Sequence, residues 1–591
     1  MRVPVLRQKA EAVIARSGYD LASHGGKAIV DTLETYPRDE LFQTPLPELA
    51  ETVERIAHLK ERRQVRIFVR ADPYGRFVSC LVYLPRDRYT TTARLAMQDV
   101  LVRDLHGTGL DYSAQIGESV HARVHFTVHT DPRDPAVPAA PDVVAITDRL
   151  EDAVYTWDDR LLEAAAISGE AIADLAQRYL AAFPQAYKED FDASTALLDI
   201  GRLEALAPPD GLNVCFELPD GAEPGERRFK LYLAGQRITL SKVLPVLQQM
   251  GVEVVDERPY EVVRGDGVHC WIYDFSLRLD AGLLSKFADQ DVEDVQRRFC
   301  DGFVAAWRGA CEVDRFNALM LHAGLDWRQV AVLRGYTRYQ RQARNPYSQR
   351  YVEDVLLAHS DIAAALVALF EARFDPTLDT ATREVSHRDL AIQVATMIDD
   401  VVGLDADRIL RSLLALVCAT LRTNHYVRDS GGDPRPYLAI KLDPTMVPGL
   451  PEPRPAFEIF VYSPRVEGVH LRFGPVARGG LRWSDRREDY RTEALGLVKA
   501  QAVKNAVIVP VGAKGAFVVK RPPAQTGDPG LDREATQAEG ITCYRLFIGG
   551  LLDVTDNLVE GTSRHPSNVI CYDGDDSYLV VAADKGTATF S

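Results

Sequence analysis

The apolar segments in the N-terminal part of the chain predict strands. Residues 64–70 and 76–84 are rich in β-branched and aromatic residues, and residues 122–129 have alternating apolar positions. Alternation with a period of two is typical of a strand with one buried face. Residues 90–105, between the second and third segments, have the spacing of a helix. The pattern predicts a small α+β module over residues 1–131.

A second small α+β module is predicted further along the chain. Its four predicted strands, NVCFEL, RFKLYLA, VEVVD and VHCWIYDFSL, occur between residues 213 and 277, with a helix after the second strand. This β-β-α-β-β order resembles an ACT-like ligand-sensing module, and the first module is a looser match to it. We therefore predict an ACT-like module over residues 213–280. Binding of an amino-acid effector and simple packing are equal alternatives, because a fold does not determine its function.

Helical periodicity dominates two other stretches, residues 142–206 and residues 285–427. In the second stretch, windows such as DIAAALVALFEARF and DRILRSLLALVCATL place apolar residues with a spacing of about 3.6. Its histidines are isolated, so they predict no ligand site. We interpret residues 285–427 as a helical spacer. Clusters of Pro and Gly, such as residues 428–436, mark loops or linkers between the regions.

Composition narrows the class of protein. A length near 600 residues suggests about four domains, and 46% apolar with 26% charged residues is ordinary for a soluble globular protein. The net charge of −16 disfavours binding to nucleic acid or to an anionic membrane, since such binders carry a basic excess. No run reaches the roughly 18 apolar residues of a membrane span. The eight cysteines are scattered without a C-x-x-C pair, which predicts reduced thiols in a cytoplasmic protein and no metal site.

The charge is unevenly distributed along the chain. Residues 454–521 contain 13 Lys and Arg against 6 Asp and Glu, a net charge of +7, while the remainder carries −23. Most charge runs are solvated surfaces. In this segment, however, the cations lie beside glycines, which let a backbone approach a ligand closely. We therefore favour an anion-binding site over a basic surface.

Two pieces of this basic segment precede residue 505. The first is Arg478-Gly479-Gly480-Leu481-Arg482-Trp483, a predicted flexible loop. The second is a helix expected to begin near Asp485, with Asp485-x-x-Glu488 as a capping box. Leu497, Gln501 and Lys504 fall at i, i+4 and i+7 and form one stripe of this helix. Gln501 and Lys504 would therefore point the same way.

The third piece of the predicted site surrounds Lys514. A strand is predicted at 506–509, followed by the loop Pro510-Val-Gly-Ala-Lys514-Gly515 and a second strand at 516–519. Further along, residues 577–584 are interpreted as a buried strand that delivers Asp584 at its carboxyl end, where α/β sheets form ligand sites. Each position alone fits a plain turn. Three cationic positions on a loop, a helix and a loop together favour the anion site.

In their order along the chain, these motifs resemble the substrate domain of the glutamate dehydrogenases. That family has a K-G-G-x-R loop, a helix ending in Q-x-x-K-N, a P-x-G-x-K-G loop and a later aspartate at a strand end. The corresponding motifs here are Arg478-Gly-Gly-Leu-Arg482, Gln501-Ala-Val-Lys504-Asn505, Pro510-Val-Gly-Ala-Lys514-Gly515 and Asp584. RFGPVARGGLRWSDR and ADKGTATFS resemble the large NAD-specific subgroup, which has long regulatory extensions. The supporting motifs lie within residues 472–591.

The resemblance implies oxidative deamination of L-glutamate to 2-oxoglutarate and ammonia, with hydride passed to NAD. By position, Lys504 and Gln501 would hold the α-carboxylate and Arg478 the distal carboxylate, beside Gly479 and Gly480. A dicarboxylate needs such cationic and amide partners. Arg478 stands where the compact hexameric members have lysine, and the two side chains are not equivalent.

The resemblance also implies the catalytic residues. Lys514 would be the base that activates water against the iminium intermediate, and Asp584 would exchange protons with the amino nitrogen. A lysine can act as a base near neutral pH only if burial or neighbouring cations lower its pKa. We expect Lys504 and Arg478 to be those cations.

For the whole chain we expect a multidomain α+β and α/β protein that forms a homo-oligomer and responds to an amino-acid effector. Residues 436–591 would be the α/β substrate part of the catalytic domain. In the family a dinucleotide-binding domain follows the aspartate, whereas no Gly-x-Gly-x-x-Gly motif occurs in these 591 residues. We therefore expect a fragment that lacks the NAD-binding domain and is inactive alone.

Two other functions are compatible with the sequence. The chain could be a non-catalytic amino-acid-sensing or assembly module with a degenerate site. Lys514 could instead form a Schiff base or contact phosphate, but this alternative leaves Gln501 and Asp584 unexplained.

Overall fold

The chain divides into two compact units, residues 1–201 and residues 202–591. The computed structural model describes residues 3–61, 64–117, 119–138, 140–219, 221–287, 290–343, 345–504 and 511–590. For residues 60, 61, 287 and 501–504 the backbone alone is described. The predicted mixture of small α+β modules, a helical region and a C-terminal α/β part is confirmed.

The first unit begins with four helices that share one apolar core. They are α1 (Pro4–Ser17), α2 (His24–Thr35), α3 (Arg38–Gln43) and α4 (Leu46–Ala57). They contribute Leu6, Ile29, Leu33, Leu49 and Val53 to this core. These four helices are an addition to the α+β module that the sequence predicts.

A four-stranded antiparallel sheet follows in the first unit, with strand order β1-β2-β4-β3. Its elements are β1 (Arg66–Ala71), β2 (Phe77–Pro85), α5 (Thr91–Asp104), β3 (Gly109–Gln115) and β4 (His121–His129). The three predicted strands and the helix between them are confirmed. Strand β3 escaped prediction because it is an edge strand of sequence GLDYSAQ, mostly exposed and without an apolar alternation.

Five further helices follow the first sheet. They are α6 (Val143–Val154), α7 (Trp157–Ser168), α8 (Glu170–Tyr179), α9 (Gln185–Asp190) and α10 (Ala193–Glu204). The helical prediction for this stretch is confirmed. Helix α6 buries Ile146, Leu150 and Val154 in the core of the sheet, so it packs as part of the α+β module.

The second unit begins with a four-stranded sheet of order β5-β6-β8-β7. Its elements are β5 (Leu212–Glu217), β6 (Glu226–Ala234), α11 (Leu240–Gln249), β7 (Glu253–Val263) and β8 (His269–Arg278). All four predicted strands and the helix are confirmed. The order and the position of the helix repeat those of the first sheet, so the two modules share one topology.

A helical layer follows this module and buries a large apolar core. Its helices are α12 (Ala281–Phe287), α13 (Val292–Trp307), α14 (Leu319–His322), α15 (Trp327–Gln342), α16 (Gln349–Ala358), α17 (Ser360–Phe374), α18 (Thr380–Asp399) and α19 (Leu404–Ala419). Short 3₁₀ turns lie at His58–Glu61, Arg86–Arg88, Arg315–Ala318 and Pro444–Met446. Within the described chain no single helix could cross a membrane by length and composition; α16 and α17 pass that test only as a pair bent by 94°.

The C-terminal part is built on a seven-stranded mixed sheet of order β17-β13-β14-β12-β11-β10-β9. Its strands are β9 (Thr420–Thr423), β10 (Leu438–Leu442), β11 (Phe457–Tyr462), β12 (Val466–Arg472), β13 (Gly479–Trp483), β14 (Ala513–Val519) and β17 (Val581–Ala583). The helices are α20 (Tyr490–Lys504) and α21 (Pro529–Asp553), and β15 (Asn557–Val559) pairs with β16 (Thr562–Arg564) in a separate hairpin. Strand β13 is parallel to both neighbours, β14 and β17.

The two long helices of this part cover opposite faces of the sheet. Ala516 and Val518 of β14 belong to the same core as Ala494 and Val498 of α20. Phe517, which points the other way on the strand, packs with Phe547 of α21 at a ring distance of 5.9 Å. Since side chains alternate along a strand, Lys514 lies on the face that α20 covers.

Candidate active site

The centre of the candidate site is an ion pair between Lys514 and Asp584. Lys514 Nζ donates a hydrogen bond to Asp584 Oδ2 at 2.6 Å, and both side chains are largely buried, with 19% and 17% exposed. Lys514 is on β14 and Asp584 follows β17, so the pair reaches across β13, which separates these two strands. A second cation, Arg482 Nη2, lies 3.7 Å from Asp584 Oδ1.

The two glycines of β13 make this arrangement possible. A Cβ atom at Gly480 would lie 3.0 Å from Cβ of Asp584, on the face where the ion pair crosses the strand. At Gly479 a Cβ atom would lie 1.4 Å from the carbonyl oxygen of Ala513, so no side chain fits between β13 and β14. Their role in the structure is close backbone packing.

These residues correct two predictions from the sequence. The segment Arg478–Trp483, predicted to be a flexible loop, is an interior strand from Gly479 onwards. Lys514, predicted in a loop, is the second residue of β14. Glycines in a sequence suggest flexibility because they have no Cβ atom. Here the absence of a Cβ atom lets two parallel strands pair closely. The strand predicted at 506–509 lies outside the described residues.

Asp584 is held by a tight turn that follows β17. Its backbone N–H donates to Thr587 Oγ1 at 2.9 Å, and Thr587 Oγ1 donates to the carbonyl of Leu481 at 2.9 Å. Burial alone would raise the pKa of the Asp584 carboxyl, but the hydrogen bond from Lys514, the backbone N–H of Lys585 and the charge of Arg482 together hold this pKa below 3.8. Asp584 is therefore a carboxylate at neutral pH.

The strand that delivers Asp584 differs from the prediction. Residues 577–584 were expected to form a buried strand, whereas β17 spans Val581–Ala583 alone and is partly exposed. It is a short edge strand. The prediction that Asp584 follows directly after a strand is confirmed.

Arg478 precedes β13 and is exposed, and its Nε donates to the hydroxyl of Tyr578 at 2.9 Å. The backbone carbonyl of Tyr578 accepts a hydrogen bond from the buried Arg472, which also contacts Asp576. Tyr578 was not singled out from the sequence. No local spacing could reveal it, because it lies 100 residues from its partner Arg478.

Helix α20 carries the other two predicted substrate residues, Gln501 and Lys504. The structure places both positions on the last turn of this helix; their side chains lie outside the described residues. The helix is fixed to the sheet by Arg491, which contacts both carboxylate oxygens of Glu458 at 2.6 and 2.8 Å with the two side chains 1% and 0% exposed. Glu493 in its first turn accepts hydrogen bonds from Arg482 and from Ser484, both at 2.6 Å.

Helix α20 begins later than predicted. Its first residue is Tyr490, and the expected capping box at Asp485 and Glu488 lies in the preceding turn. Glu488 pairs instead with Arg341 of α15, and Gln342 accepts a hydrogen bond from the backbone of Arg491 at 3.3 Å. These contacts with α15 hold residues 485–489 in a turn.

The basic segment 454–521 differs from a cluster of cations that share one anion site. Most of its described cations pair with different carboxylates instead of facing one site, for example Arg465 with Glu539 and Lys520 with Glu467. Of the three predicted cations, Lys514 meets Asp584 and Arg478 meets Tyr578. The side chain of Lys504, the expected neighbour, lies outside the described residues.

Three buried cations anchor the segment that leads to Asp584. They lie on β9, β10 and β12 and contact aspartates of that segment: Arg422, Lys441 and Arg472 with Asp556, Asp573 and Asp576. Removing one partner of such a network leaves an uncompensated buried charge. The network therefore positions the strand end that carries Asp584.

One group of possible metal ligands occurs in the described part of the chain, formed by Asp556, His565 and Cys571. Asp556 already accepts hydrogen bonds from Arg422 at 2.5 Å and from the backbone of Asp576 at 2.6 Å. A guanidinium group in that position repels a metal cation. All eight cysteines are free thiols.

The Gly-x-Gly-x-x-Gly motif, whose turn holds the pyrophosphate of a dinucleotide, does not occur in the 591-residue sequence. We therefore assign no residue of this chain to the dinucleotide and no step of a mechanism to it.

Family models match most of the chain. The model described as bacterial NAD-glutamate dehydrogenase, catalytic domain, matches residues 393–591. The glutamate dehydrogenase ACT2 and ACT3 domain models match 66–158 and 211–294. Helical motifs 1, 2 and 3 of glutamate dehydrogenase match 3–62, 161–206 and 311–376.

Three curated relatives are each named NAD-specific glutamate dehydrogenase. The protein of Mycobacterium tuberculosis is 48% identical over 100% of this chain and 37% of its own length. The proteins of Halomonas elongata and Pseudomonas aeruginosa are 46% and 44% identical, again over 100% of this chain and 36% of their own length. The chain thus spans little more than a third of these relatives. By these matches and by its motifs, the chain belongs to the large NAD-specific glutamate dehydrogenase family.

Proposed function

We propose that the face of the seven-stranded sheet beneath α20 binds L-glutamate and 2-oxoglutarate in an NAD-dependent glutamate dehydrogenase reaction. The observation that carries this proposal is the Lys514–Asp584 contact of 2.6 Å across Gly480. This contact brings together a lysine and an aspartate from two motifs that are distant in the sequence. The names of the relatives supply the reaction.

In this proposal the chain's own residues bind the substrate and move protons. Arg478 holds the distal carboxylate of the substrate, while Gln501 and Lys504 hold the α-carboxylate, as charge-assisted hydrogen bonds do for dicarboxylates. Gly479 and Gly480 keep the strand surface free of side chains beside the substrate. Arg478 is exposed. A substrate carboxylate can therefore replace Tyr578 as its hydrogen-bond partner without burial of a new charge.

Lys514 and Asp584 form the proton-transfer pair. Lys514 Nζ takes a proton from the attacking water, and Asp584 exchanges a proton with the substrate nitrogen. Lys514 Nζ donates a hydrogen bond to Asp584 Oδ2 at 2.6 Å, so a proton can pass directly between the two groups.

Binding of 2-oxoglutarate to this chain, measured by calorimetry, tests the substrate site directly. We expect binding that Arg478→Gln and Lys504→Ala each weaken about tenfold or more, since each removes a charge-assisted hydrogen bond. Lys499→Ala is the matched control, because Lys499 is exposed on α20 and contacts the carbonyl of Glu452. Absence of binding, or equal affinity in all variants, would refute the assignment.

A second proposed function is sensing of an amino-acid effector. A cavity of about 460 Å³ lies beside the second four-stranded module, between β6, α11 and α13. Lys242 and Asp210 at its edge suit the carboxylate and ammonium of a free amino acid, and Leu233, Ile238 and Trp307 offer apolar contacts. Titration with L-amino acids, compared between the wild type and Lys242→Gln, tests this site separately from the substrate site.

We further propose that the protein is a cytoplasmic homo-oligomer. The eight free thiols suit a reducing compartment. Strands β3 and β7 are exposed edge strands, which are surfaces for pairing between copies. Light scattering coupled to size exclusion measures the number of copies, and a monomer at micromolar concentration would refute this proposal.

A further inference from the structure

A cavity of about 430 Å³ lies at the end of the seven-stranded sheet opposite Lys514. The register of β12 and β14 shows this separation, because Val519 pairs with Val466 at one end and Ala513 pairs with Arg472 at the other. The cavity is bounded by the start of α15, residues 433–438, the turn after β11 and α21. Its volume is within the range of roughly 300–1,000 Å³ that is usual for small-molecule sites.

The lining of this cavity is largely apolar and aromatic. Trp327, Tyr437 and Tyr462 contribute rings, and Leu438 and Leu546 contribute aliphatic surface. Such a lining suits a flat or branched apolar body. L-glutamate has no ring or branched apolar group, so this lining does not match the proposed substrate.

One strong cation faces this apolar space without a carboxylate partner among the described residues. Arg328 lines the cavity, and its Nη2 donates to the backbone carbonyl of His425 at 2.9 Å. Burial, together with the charge of Arg428, lowers the pKa of Arg328 to about 10. An anion placed beside Arg328 would relieve this unfavourable environment.

Two other arginines of the lining are paired with carboxylates. Arg435 pairs with Asp553 at 3.2 Å and Arg465 pairs with Glu539 at 2.5 Å. The acidic residue of the lining, Asp433, is exposed to solvent. Arg328 is therefore the group that gives the cavity its preference for a negative ligand.

A second buried donor supports this preference. Arg334 is fully buried and lines the cavity, with Nε and Nη2 bonded to Asp314 and Asn317. Its Nη1 has no hydrogen-bond partner among the described residues. Unpartnered buried donors are uncommon in proteins and call for a ligand or a water molecule.

The wall formed by residues 428–436 is an ordered turn. The sequence predicted a linker here, whereas Asp429 Oδ1 accepts hydrogen bonds from the backbone of Gly431 at 2.8 Å and of Asp433 at 3.0 Å. The backbone N–H of Asp429 donates to the carbonyl of Asp433 at 2.8 Å. This turn places Pro434 and Arg435 against the cavity, so the site is preformed.

We propose that this cavity binds a small organic anion in which a carboxylate or a phosphate is attached to an apolar or aromatic body. The anionic group contacts Arg328, and the apolar body lies among Trp327, Tyr437 and Tyr462. The cavity lies between α15 of the helical layer and the far end of the catalytic sheet, so the ligand stabilises the contact between them.

Calorimetric titration of the whole chain with two ring-bearing probes tests this proposal. Adenosine 5′-monophosphate represents the phosphate source and indole-3-acetate the carboxylate source, with ribose 5-phosphate and acetate as matched probes without a ring. We expect at least one ring-bearing probe to bind at millimolar concentration or below, and its ring-free counterpart to bind much more weakly. The probe that binds identifies the source of the anion.

Two variants locate the binding site. Arg328→Gln should weaken binding about tenfold or more, since it removes a charge-assisted hydrogen bond. Ala331→Phe, which places a ring in the cavity from the next turn of α15, should abolish binding without removing a charge. Arg388→Gln on α18 is the control, because Arg388 is 67% exposed and pairs with its neighbour Asp389. Melting temperatures of the unliganded variants show whether each one folds.

The outcomes separate clearly. Binding that is lost in Arg328→Gln and Ala331→Phe but retained in Arg388→Gln supports the site. Failure of both ring-bearing probes to bind the wild type, or binding unaffected by Ala331→Phe, overturns the proposal. Because binding is measured without substrate, either result is independent of the proposed dehydrogenase activity.

Discussion

The two ends of the seven-stranded sheet are built in different ways. At one end, Lys514, Asp584 and the two glycines of β13 belong to short motifs within about one hundred residues of sequence. At the other end, the cavity lining comes from segments that begin at Gly309 and end at Leu546, without any shared motif. A site that depends on close backbone packing requires glycines, and these can be recognised in the sequence. A cavity formed by distant segments requires no such local pattern.

The charges of the two ends differ as well. At the motif end, Lys514 and Arg482 each contact a carboxylate, from Asp584 and from Glu493. At the cavity end, Arg328 has a backbone carbonyl as its described partner. The cations at the first end are therefore compensated by carboxylates of the protein itself, whereas Arg328 at the second end favours an added anion.

The largest expected effect is the loss of the motif end through Gly479→Ala. The added Cβ atom would lie 1.4 Å from the carbonyl oxygen of Ala513, so β13 and β14 must separate. We expect the free energy of unfolding to fall by about 4 kcal/mol or more, measured by urea denaturation. Gly496→Ala on α20 is the control, because its Cβ atom would meet nothing within 4 Å; we expect a gain of up to about 1 kcal/mol. Equal stability of the two variants would show that β13 does not pack as described.

The next effect concerns catalysis at the motif end. In the longest polypeptide that the gene encodes, Lys514→Ala should lower the rate of NAD reduction by L-glutamate about 10²- to 10⁴-fold, as expected for removal of a general base. Lys499 is an exposed lysine on α20, and Lys499→Ala should retain the wild-type rate. A Lys514→Ala enzyme with wild-type turnover would exclude Lys514 as the base.

The third effect is a difference between the two ends in how their contribution to stability depends on pH. Burial and the charges of Arg328 and Arg428 lower the pKa of His425, at the cavity end, from 6.5 to about 3. The unfolded chain therefore binds a proton on His425 between these values while the folded chain does not. The stability due to neutral His425 is fully present above about pH 6.5 and is lost as the pH falls towards 3.

The corresponding measurement compares the unfolding free energy of the wild type and His425→Gln from about pH 7 to about pH 5. We expect the wild type to lose about 2 kcal/mol more than the variant, at roughly 1.4 kcal/mol per pH unit below the unfolded pKa. Asp584→Asn gives the contrasting case, because the pKa of Asp584 lies below 3.8 and its contribution is lost only at more acidic pH. Parallel curves for the wild type and His425→Gln would contradict the burial of a neutral imidazole.

The smallest expected effect is at the rim of the cavity. Arg465 pairs with Glu539 but is 45% exposed, so solvent screens this contact. Arg465→Gln should change the free energy of unfolding by less than about 1 kcal/mol. A loss of several kcal/mol, measured by urea denaturation, would contradict this expectation. It would show that the Arg465–Glu539 pair stabilises the fold as strongly as a buried ion pair.

The elements of the two small modules were predictable to different extents. Strand β4 was predicted because its apolar residues alternate along the sequence, in agreement with its alternating burial. Strand β3 was missed because its exposed position requires no apolar residue. The first four helices were missed as well, although their buried positions form a core of their own.

At the candidate site, the sequence singled out two residues that the structure brings into contact, but their local structure was not predicted. Lys514 and Asp584 were predicted as a catalytic pair, and the structure brings them together. The strand at Gly479 and the late start of α20 at Tyr490 were mispredicted. In both cases a long-range partner decided the outcome: Ala513 for the glycine, and Arg341 with Gln342 for the turn before the helix.

The sequence alone determined the family, the modular order and the identity of the residues that carry charge at the motif end. These properties depend on short motifs and on apolar periodicity, both of which are local. Only the tertiary structure decided that Asp584 reaches Lys514 across a glycine strand, that Tyr578 meets Arg478, and that Arg328 lies in an apolar cavity. The reason is physical: these contacts join residues 70 to 100 positions apart or more, and their energies depend on burial that no local pattern specifies.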